Sequence, residues 1–177
     1  MGKRSTFDRI PLDYYPTPFE AVHPLLPHLK PGTRFVEPCA GDARLIDHLE
    51  AAGHCCVSAW DIEPRDERVE RHDALDLLVG NIDCFITNPP WDRKVLHSMI
   101  VHLSMQHPTW LLFDADWIHT RQSAPFMPLL RSIVSVGRIK WIEDSPFTGK
   151  DNCAWHLFSA DAFPSFAPAA FHGRIAA

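Results

Sequence analysis

Short apolar runs alternate with amphipathic stretches along most of the chain. The runs have the length of buried strands, and the stretches between them place apolar side chains at helical spacing. Pro16-Thr17-Pro18 is typical of a helix start, with Thr17 as the N-cap and Pro18 at the first helical position. The predicted strands are residues 34–37, 55–61, 82–87 and 109–113, with paired antiparallel strands at 138–142 and 153–159. The predicted helices are residues 19–29, 43–52, 94–106 and 124–132, with a weak helix at 63–71.

This alternation predicts an α/β fold of Rossmann-like architecture. We expect a mostly parallel sheet with right-handed crossovers, helices on both faces, and an antiparallel hairpin near the C-terminus. At 177 residues, the simplest organisation is one domain over residues 1–160, which begins with a polar arm at 1–13. Residues 161–177 are rich in Ala and Pro and are predicted to be a loose tail.

The most informative motif is Asn88-Pro89-Pro90-Trp91, which directly follows a predicted strand. The prolines stiffen the turn and have no N–H to donate, so carbonyl oxygens and the Asn88 amide are left as acceptors beside a flat indole. A planar group that carries an NH2 fits such a site. The amide and carbonyl oxygens can accept its two N–H bonds while the ring stacks on its face.

Other chemical groups follow the carboxyl ends of the neighbouring predicted strands. Ligands of parallel sheets bind outside these ends, so the groups should converge. Asp61 is placed to accept from the two hydroxyls of a ribose, and Asp73 could accept from an exocyclic amine. The small residues after the first strand allow the backbone to pass close to a ligand. The segment at the end of the first predicted strand is Glu37-Pro38-Cys39-Ala40-Gly41-Asp42.

The composition of the chain excludes some classes of protein but does not by itself indicate a binding partner. The net charge is −5, whereas nucleic-acid binders usually carry a basic stripe. Arg93-Lys94, beside the proline turn, is the best candidate for contact with phosphate. No stretch approaches the roughly 20 apolar residues of a membrane span, and the N-terminus lacks the apolar core of a secretory signal. We therefore expect a cytoplasmic protein with no membrane partner.

The cysteines and histidines do not indicate a metal site. Cys55 and Cys56 are adjacent on a predicted strand and point to opposite faces, and reduced thiols are the expected state of the 5 cysteines. His97, His102 and His107 recur every five residues, which spreads them around a helix axis.

Together these residues resemble the class I S-adenosylmethionine-dependent amino-methyltransferases. Within that class they look most like the small adenine-N6 DNA methyltransferases of phages and bacteria. The resemblance covers roughly residues 14–160, and its specific part is motif four. The matching segments are Tyr15-Pro16-Thr17-Pro18 (motif ten), 36–42 (motif one), Asp61-Ile62 (motif two), Asp73-Ala74 (motif three), Asn88-Pro89-Pro90-Trp91 (motif four) and 141–158, which resembles the hairpin that flanks the target base.

The resemblance implies a cofactor, a substrate and a role for each group. The implied cofactor is S-adenosylmethionine, with no metal, and the implied partner is nucleic acid, preferably DNA, from which the target base is flipped. The implied catalytic residues are Asn88, Pro89, Pro90 and Trp91. The implied substrate-binding residues are Trp91, Arg93, Lys94 and Phe147, and Tyr14, Tyr15 or Trp91 would face the sulfonium. The implied cofactor-binding residues are Tyr15, Thr17, Glu37, Pro38, Cys39, Ala40, Gly41, Asp61, Ile62, Asp73, Ala74 and Asn88.

Several alternatives remain open at this point. The gaps between motifs are short, and residues 114–135 are the longest candidate for a target-recognition segment. Methylation of RNA adenine or of a protein glutamine amide would use the same acceptors. A catalytically silent fold that serves as the binding subunit of a methylase is a third hypothesis, although the intact Asn88 to Trp91 motif and Asp61 argue against it. The recognised sequence and the oligomeric state are left open.

Overall fold

The computed structural model describes residues 14–142, 148–160 and 169–174, and these ranges contain a sheet of eight strands in the order β3-β2-β1-β4-β5-β7-β6-β8. The five strands from β3 to β5 run parallel, whereas β7 is antiparallel to both β5 and β6, and β8 is parallel to β6. The predicted α/β class, with its parallel sheet and antiparallel C-terminal strands, is therefore confirmed. The strands are β1 (Arg34–Glu37), β2 (Cys55–Asp61), β3 (Glu70–Arg71), β4 (Cys84–Thr87), β5 (Thr109–Asp114), β6 (Leu130–Gly137), β7 (Cys153–Phe158) and β8 (Ala170–His172).

Alternate residues of the buried strands face opposite layers of the core. On one face, Phe35 and Ile86 pack in the same cluster as apolar residues of α1 (Phe19–Val22) and α2 (Arg44–Ala51). On the other face, Phe85 packs in a cluster with residues of α3 (Arg93–Ser104). Helices therefore cover both faces of the sheet, as the alternation of apolar runs and amphipathic stretches predicts.

Local chemistry explains where α3 begins. The Asp92 carboxylate accepts hydrogen bonds from the backbone N–H groups of Lys94 and Val95, at 3.0 and 3.3 Å. This N-cap satisfies two donors that an α-helix leaves without an internal partner. The helix therefore starts immediately after the Asn88 to Trp91 turn.

The predicted helix 19–29 is wrong in its extent and in its cap. Thr17 is buried but does not cap the helix, which begins at Phe19 with Pro18 as its N-cap residue. The helix ends at Val22, and a 3₁₀ helix covers Leu26–His28. Pro24 and Pro27 explain the break, because a proline inside an α-helix removes a hydrogen bond and clashes with the preceding turn.

The C-terminal hairpin uses a different strand from the predicted one. Strand β7 pairs with β6 and with β5, and not with residues 138–142. The helix predicted at 124–132 is also wrong, because this region contains a 3₁₀ helix, Arg121–Leu129, and the start of β6. Pro125 and Pro128 exclude a regular α-helix there.

Two short edge strands also depart from prediction. In the segment predicted as a weak helix at 63–71, Glu70–Arg71 forms β3 and pairs with Trp60 and Asp61. Within the predicted loose tail, Ala170–His172 forms β8 beside β6. Each strand gains its hydrogen bonds from a neighbouring strand and not from within its own segment, so local propensity carries little signal for either.

The longest helix in the described ranges, α3, has 12 residues. None of the helices described there is long and apolar enough to cross a membrane.

The histidines of α3 take part in local hydrogen bonds. Nε2 of His102 lies 2.8 Å from the Leu77 carbonyl oxygen, and His97 accepts a 3.1 Å hydrogen bond from the Trp117 indole. No cluster of potential metal ligands occurs in the described part of the chain. These hydrogen bonds join α3 to the segments that pack against it, which gives both imidazole rings a structural role.

Candidate active site

A cavity of about 530 Å³ opens at the carboxyl edge of the parallel strands. Its walls come from the segment before α1, from the ends of β1, β2 and β4, and from the first turns of α3. All the residues that the resemblance implies for the cofactor line this one cavity. They are Tyr15, Thr17, Glu37, Pro38, Cys39, Ala40, Gly41, Asp61, Ile62, Asp73, Ala74 and Asn88.

The turn after β1 needs glycine at position 41 for two reasons. Gly41 has a φ of +52°, a left-handed conformation that disfavours a side chain. A Cβ atom added there would lie 2.8 Å from Cε2 of Tyr14, so the bare backbone also makes room for that ring. The Tyr14 ring therefore rests on the turn at the wall of the cavity.

Asp61 holds this turn in place. One of its carboxylate oxygens accepts a 2.9 Å hydrogen bond from the Gly41 backbone N–H, and the other accepts a 2.7 Å bond from Glu63 N–H. The Ala40 N–H donates to the Trp60 carbonyl at 2.8 Å, which ties the same turn to β2. Each carboxylate oxygen has a further lone pair, so a ligand hydroxyl can still donate to Asp61.

Glu37 is a buried carboxyl group at the cavity wall. Its side chain is 2% exposed, and Oε2 has no hydrogen-bond partner among the described residues. Burial raises the pKa of Glu37 well above its ordinary value, and the nearby Asp61 and Asp42 raise it further. The neutral acid is therefore the favoured form at pH values where an exposed Glu is charged.

The structure orients the Asn88 side chain. Its amide nitrogen, Nδ2, donates a 3.1 Å hydrogen bond to the backbone carbonyl of Tyr15. A carbonyl oxygen can only accept, so the NH2 group must face Tyr15 and the amide oxygen must face away from it. Asn88 also lines the cavity, and its oxygen is thus left as an acceptor at the end of β4.

The other residues of the motif are divided between the cavity and the core. Pro90 lines the cavity with Asn88, whereas Pro89 and Trp91 are not among its lining residues. The Trp91 ring is half-buried, packs against the core, and lies perpendicular to the Trp141 ring at a centroid distance of 6.0 Å.

The basic residues after the motif have different surroundings. Nη2 of Arg93 forms a 2.9 Å salt bridge with Oδ2 of Asp114 at the end of β5. Lys94 is exposed in the first turn of α3. Neither residue lines the cavity, and Phe147 lies outside the described residues.

The sequence prediction missed part of the cavity wall. The Arg65 guanidinium lies 3.6 Å from the centroid of the Tyr14 ring, which is a cation–π contact. The pKa of Tyr14 is raised to about 12, mainly by burial and also by the Asp42 carboxylate that accepts its hydrogen bond. Tyr14 was among the rings expected to face the sulfonium, but its contact with Arg65 was not predicted. The other lining residues that were not predicted are Pro16, Leu45, Glu63, Leu75, Asp92, Val95 and Met99.

Comparison with known proteins agrees with this architecture at the level of fold. No protein-family model and no curated protein matches the chain. Solved structures do match. One is a protein from Listeria monocytogenes that is provisionally named a class I S-adenosylmethionine-dependent methyltransferase. It has a TM-score of 0.54 and 12% identity, and the match covers 86% of this chain and 64% of that chain. The chain therefore has the class I methyltransferase fold.

Two further structures show the same fold. A dimethyladenosine transferase from Plasmodium falciparum has a TM-score of 0.56 and 14% identity over 81% of this chain and 62% of that chain. A protein from Pyrococcus horikoshii, provisionally named an RNA methyltransferase, has a TM-score of 0.59 and 15% identity over 84% of this chain and 87% of that chain. This chain thus spans less than two thirds of the first two structures and most of the third.

Proposed function

We propose that this protein transfers a methyl group from S-adenosylmethionine to the N6 amino group of adenine in nucleic acid, with DNA as the preferred polymer. The observation that carries the proposal is the orientation of Asn88. Its NH2 group is engaged by the Tyr15 carbonyl, which leaves its oxygen as an acceptor at a cavity of cofactor size. An acceptor amide next to two prolines suits an exocyclic amine, which donates two hydrogen bonds.

The residues around the cavity fit S-adenosylmethionine in their chemistry. Asp61 and Asp73 supply carboxylates for hydroxyl and amine donors, the free oxygen of Glu37 offers a further polar contact, and Gly41 lets the backbone approach closely. When bound, this cofactor supplies an electrophilic methyl group on a sulfonium. Burial raises the pKa of the Cys39 thiol well above its ordinary value, so Cys39 stays protonated and does not act as a nucleophile.

Asn88 would activate the target amine by accepting a hydrogen bond from it. The lone pair of an adenine N6 is delocalised into the ring, which makes the nitrogen a poor nucleophile. Hydrogen bonds from its two hydrogens to Asn88 Oδ1 and the Pro89 carbonyl would favour a pyramidal nitrogen and stabilise the positive charge that grows there. Preorganised contacts of this kind are each worth about 3–4 kcal/mol in the transition state.

Trp91 would stack on the target base, while Lys94 and Arg93 would contact phosphate. Lys94 is the more available of the two cations for a phosphate, because it is exposed, whereas Asp114 already balances the charge of Arg93. A base in a duplex must leave its stack to reach Asn88, so base flipping is part of the proposal for duplex substrates. Phe147 stays a proposed second stacking partner on sequence grounds.

RNA adenine is the second candidate substrate. Two of the proteins that share the fold carry names that refer to RNA or to dimethyladenosine, and the acceptor chemistry is the same for both polymers. A protein glutamine amide and a catalytically silent subunit are the remaining alternatives, and one experiment separates all four.

The test is transfer of labelled methyl from S-adenosylmethionine to separate pools of DNA, RNA and protein, followed by digestion to nucleosides and amino acids. We expect label in N6-methyladenine from DNA. Label in RNA or in glutamine would redirect the substrate, and cofactor binding without transfer to any pool would support the silent subunit.

The Asn88→Ala variant tests the role of the amide. We expect kcat to fall by on the order of a hundredfold to a thousandfold, because one acceptor to the transition state is lost. The dissociation constant of S-adenosylmethionine, measured by calorimetry, should change much less. Asn81→Gly is a matched control, since Asn81 is exposed and its φ of +60° suits glycine. Full activity in Asn88→Ala would contradict the assignment of the acceptor.

A further inference from the structure

Trp141 contacts two parts of the site that are far apart in the sequence. Its ring centroid lies 6.0 Å from that of Trp91, with the planes at 84°, and 6.2 Å from that of Tyr15, at 56°. Trp91 is the proposed stacking ring, and the carbonyl of Tyr15 orients the Asn88 amide. Trp141 thus bridges the residue that orients the acceptor and the ring that would hold the target.

We propose that Trp141 is a positioning residue, which fixes the plane of the Trp91 ring relative to Asn88. The proposal deepens the function given above, because it assigns a residue that prepares the same site for a planar target. A half-buried indole without such a neighbour could change its side-chain torsion angles. Perpendicular aromatic pairs at this distance stabilise one arrangement beyond the area that they bury. A stacking platform held in one plane loses less conformational freedom when the base arrives.

Gly149 provides an independent way to disturb Trp141. The Gly149 N–H donates a 2.7 Å hydrogen bond to the Ile139 carbonyl, which brings its backbone close to the indole. A Cβ atom added at Gly149 would lie 3.0 Å from that carbonyl oxygen and 3.2 Å from Cδ1 of Trp141. Gly149→Ala should therefore displace the indole without removing it.

The kinetic test compares Trp141→Leu, Trp141→Phe and Gly149→Ala with the control Trp110→Phe. Trp110 is 5% exposed and lies in the core near the amino end of β5, away from the cavity, so its variant reports a loss of packing alone. We expect Trp141→Leu to lower kcat/KM for the nucleic acid by about three- to tenfold, which corresponds to the coupling of one aromatic pair. Gly149→Ala should give a similar loss, and Trp141→Phe should recover most of the activity. The dissociation constant of S-adenosylmethionine should stay within about twofold in all four variants.

A second readout tests the positioning itself and does not need activity. With 5-fluorotryptophan incorporated, the ¹⁹F resonance of Trp91 can be assigned through the Trp91→Phe variant. We expect Trp141→Leu and Gly149→Ala to shift or broaden that resonance, whereas Trp110→Phe should leave it in place. An unchanged Trp91 resonance in both variants would overturn the proposal. If the wild-type protein methylated none of the pools, the proposed function would fail, and the resonance would still decide the positioning role.

Discussion

Glu37 makes a direct prediction about how stability depends on pH. The change is Glu37→Gln, which keeps the size of the side chain and removes its ionisation. The folded protein raises the pKa of Glu37 above the ordinary value of 4.5, mainly by burial. The side chain is 2% exposed and Oε2 has no partner among the described residues, so water screens the buried charge very little.

The direction of the effect follows from proton linkage. Between pH 4.5 and the higher pKa of the folded state, the folded chain holds a proton that the unfolded chain has lost. The stabilising contribution of the neutral acid is complete below pH 4.5 and is lost as the pH rises through the folded pKa. One proton corresponds to a slope of up to about 1.4 kcal/mol per pH unit in the free energy of unfolding. The Gln variant stays neutral, so this slope should be absent and its relative stability should increase with pH.

Urea unfolding of the cofactor-free protein at a series of pH values from 4.5 to 8 measures this slope. Glu67→Gln is the control, because Glu67 is exposed and its replacement should leave the wild-type profile unchanged. Parallel stability profiles for wild type and Glu37→Gln over the whole range would refute the argument that Glu37 is buried as a neutral acid.

Two further variants test contacts that do not involve Glu37. Gly41→Ala should weaken S-adenosylmethionine binding by about tenfold, or 1.4 kcal/mol, because the added Cβ would displace the Tyr14 ring. Gly32→Ala shares the positive φ but meets nothing within 4 Å, so equal losses of affinity by calorimetry would contradict the role of the ring contact. Trp155→Phe removes a buried 2.7 Å hydrogen bond to the Ala21 carbonyl and should lower the free energy of unfolding by about 2–4 kcal/mol. An unchanged urea midpoint would show that this bond contributes little.

Local sequence patterns were sufficient to predict the strands and the helix that surround the cavity. The strands predicted at 34–37 and 55–61 match β1 and β2, and the helix predicted at 94–106 differs from α3 by two residues at most at either end. Apolar runs, glycine turns and caps act over a few residues, so they are readable in sequence. Since parallel strands present their carboxyl ends at one edge, the predicted cofactor residues also meet at one cavity.

The C-terminal part of the sheet was less predictable. Residues 138–142 alternate like a strand, yet β7 lies between β5 and β6. Residues 124–132 have apolar spacing that suits an α-helix. Two prolines instead favour a 3₁₀ helix, and pairing with β7 favours the strand that follows it. Strand pairing depends on which neighbour offers hydrogen bonds and packing, and periodicity does not record that choice.

The sequence by itself determined the strands and helices around the cavity and the identity of the Asn-Pro-Pro-Trp turn, because these depend on short-range sterics and on hydrophobic periodicity. Only the tertiary structure decided how the turn is oriented. The Asn88 amide is set by the carbonyl of Tyr15, 73 residues earlier, and the Trp91 ring is set by Trp141, 50 residues later. Such contacts form when distant segments pack together, and no local pattern in the chain specifies them.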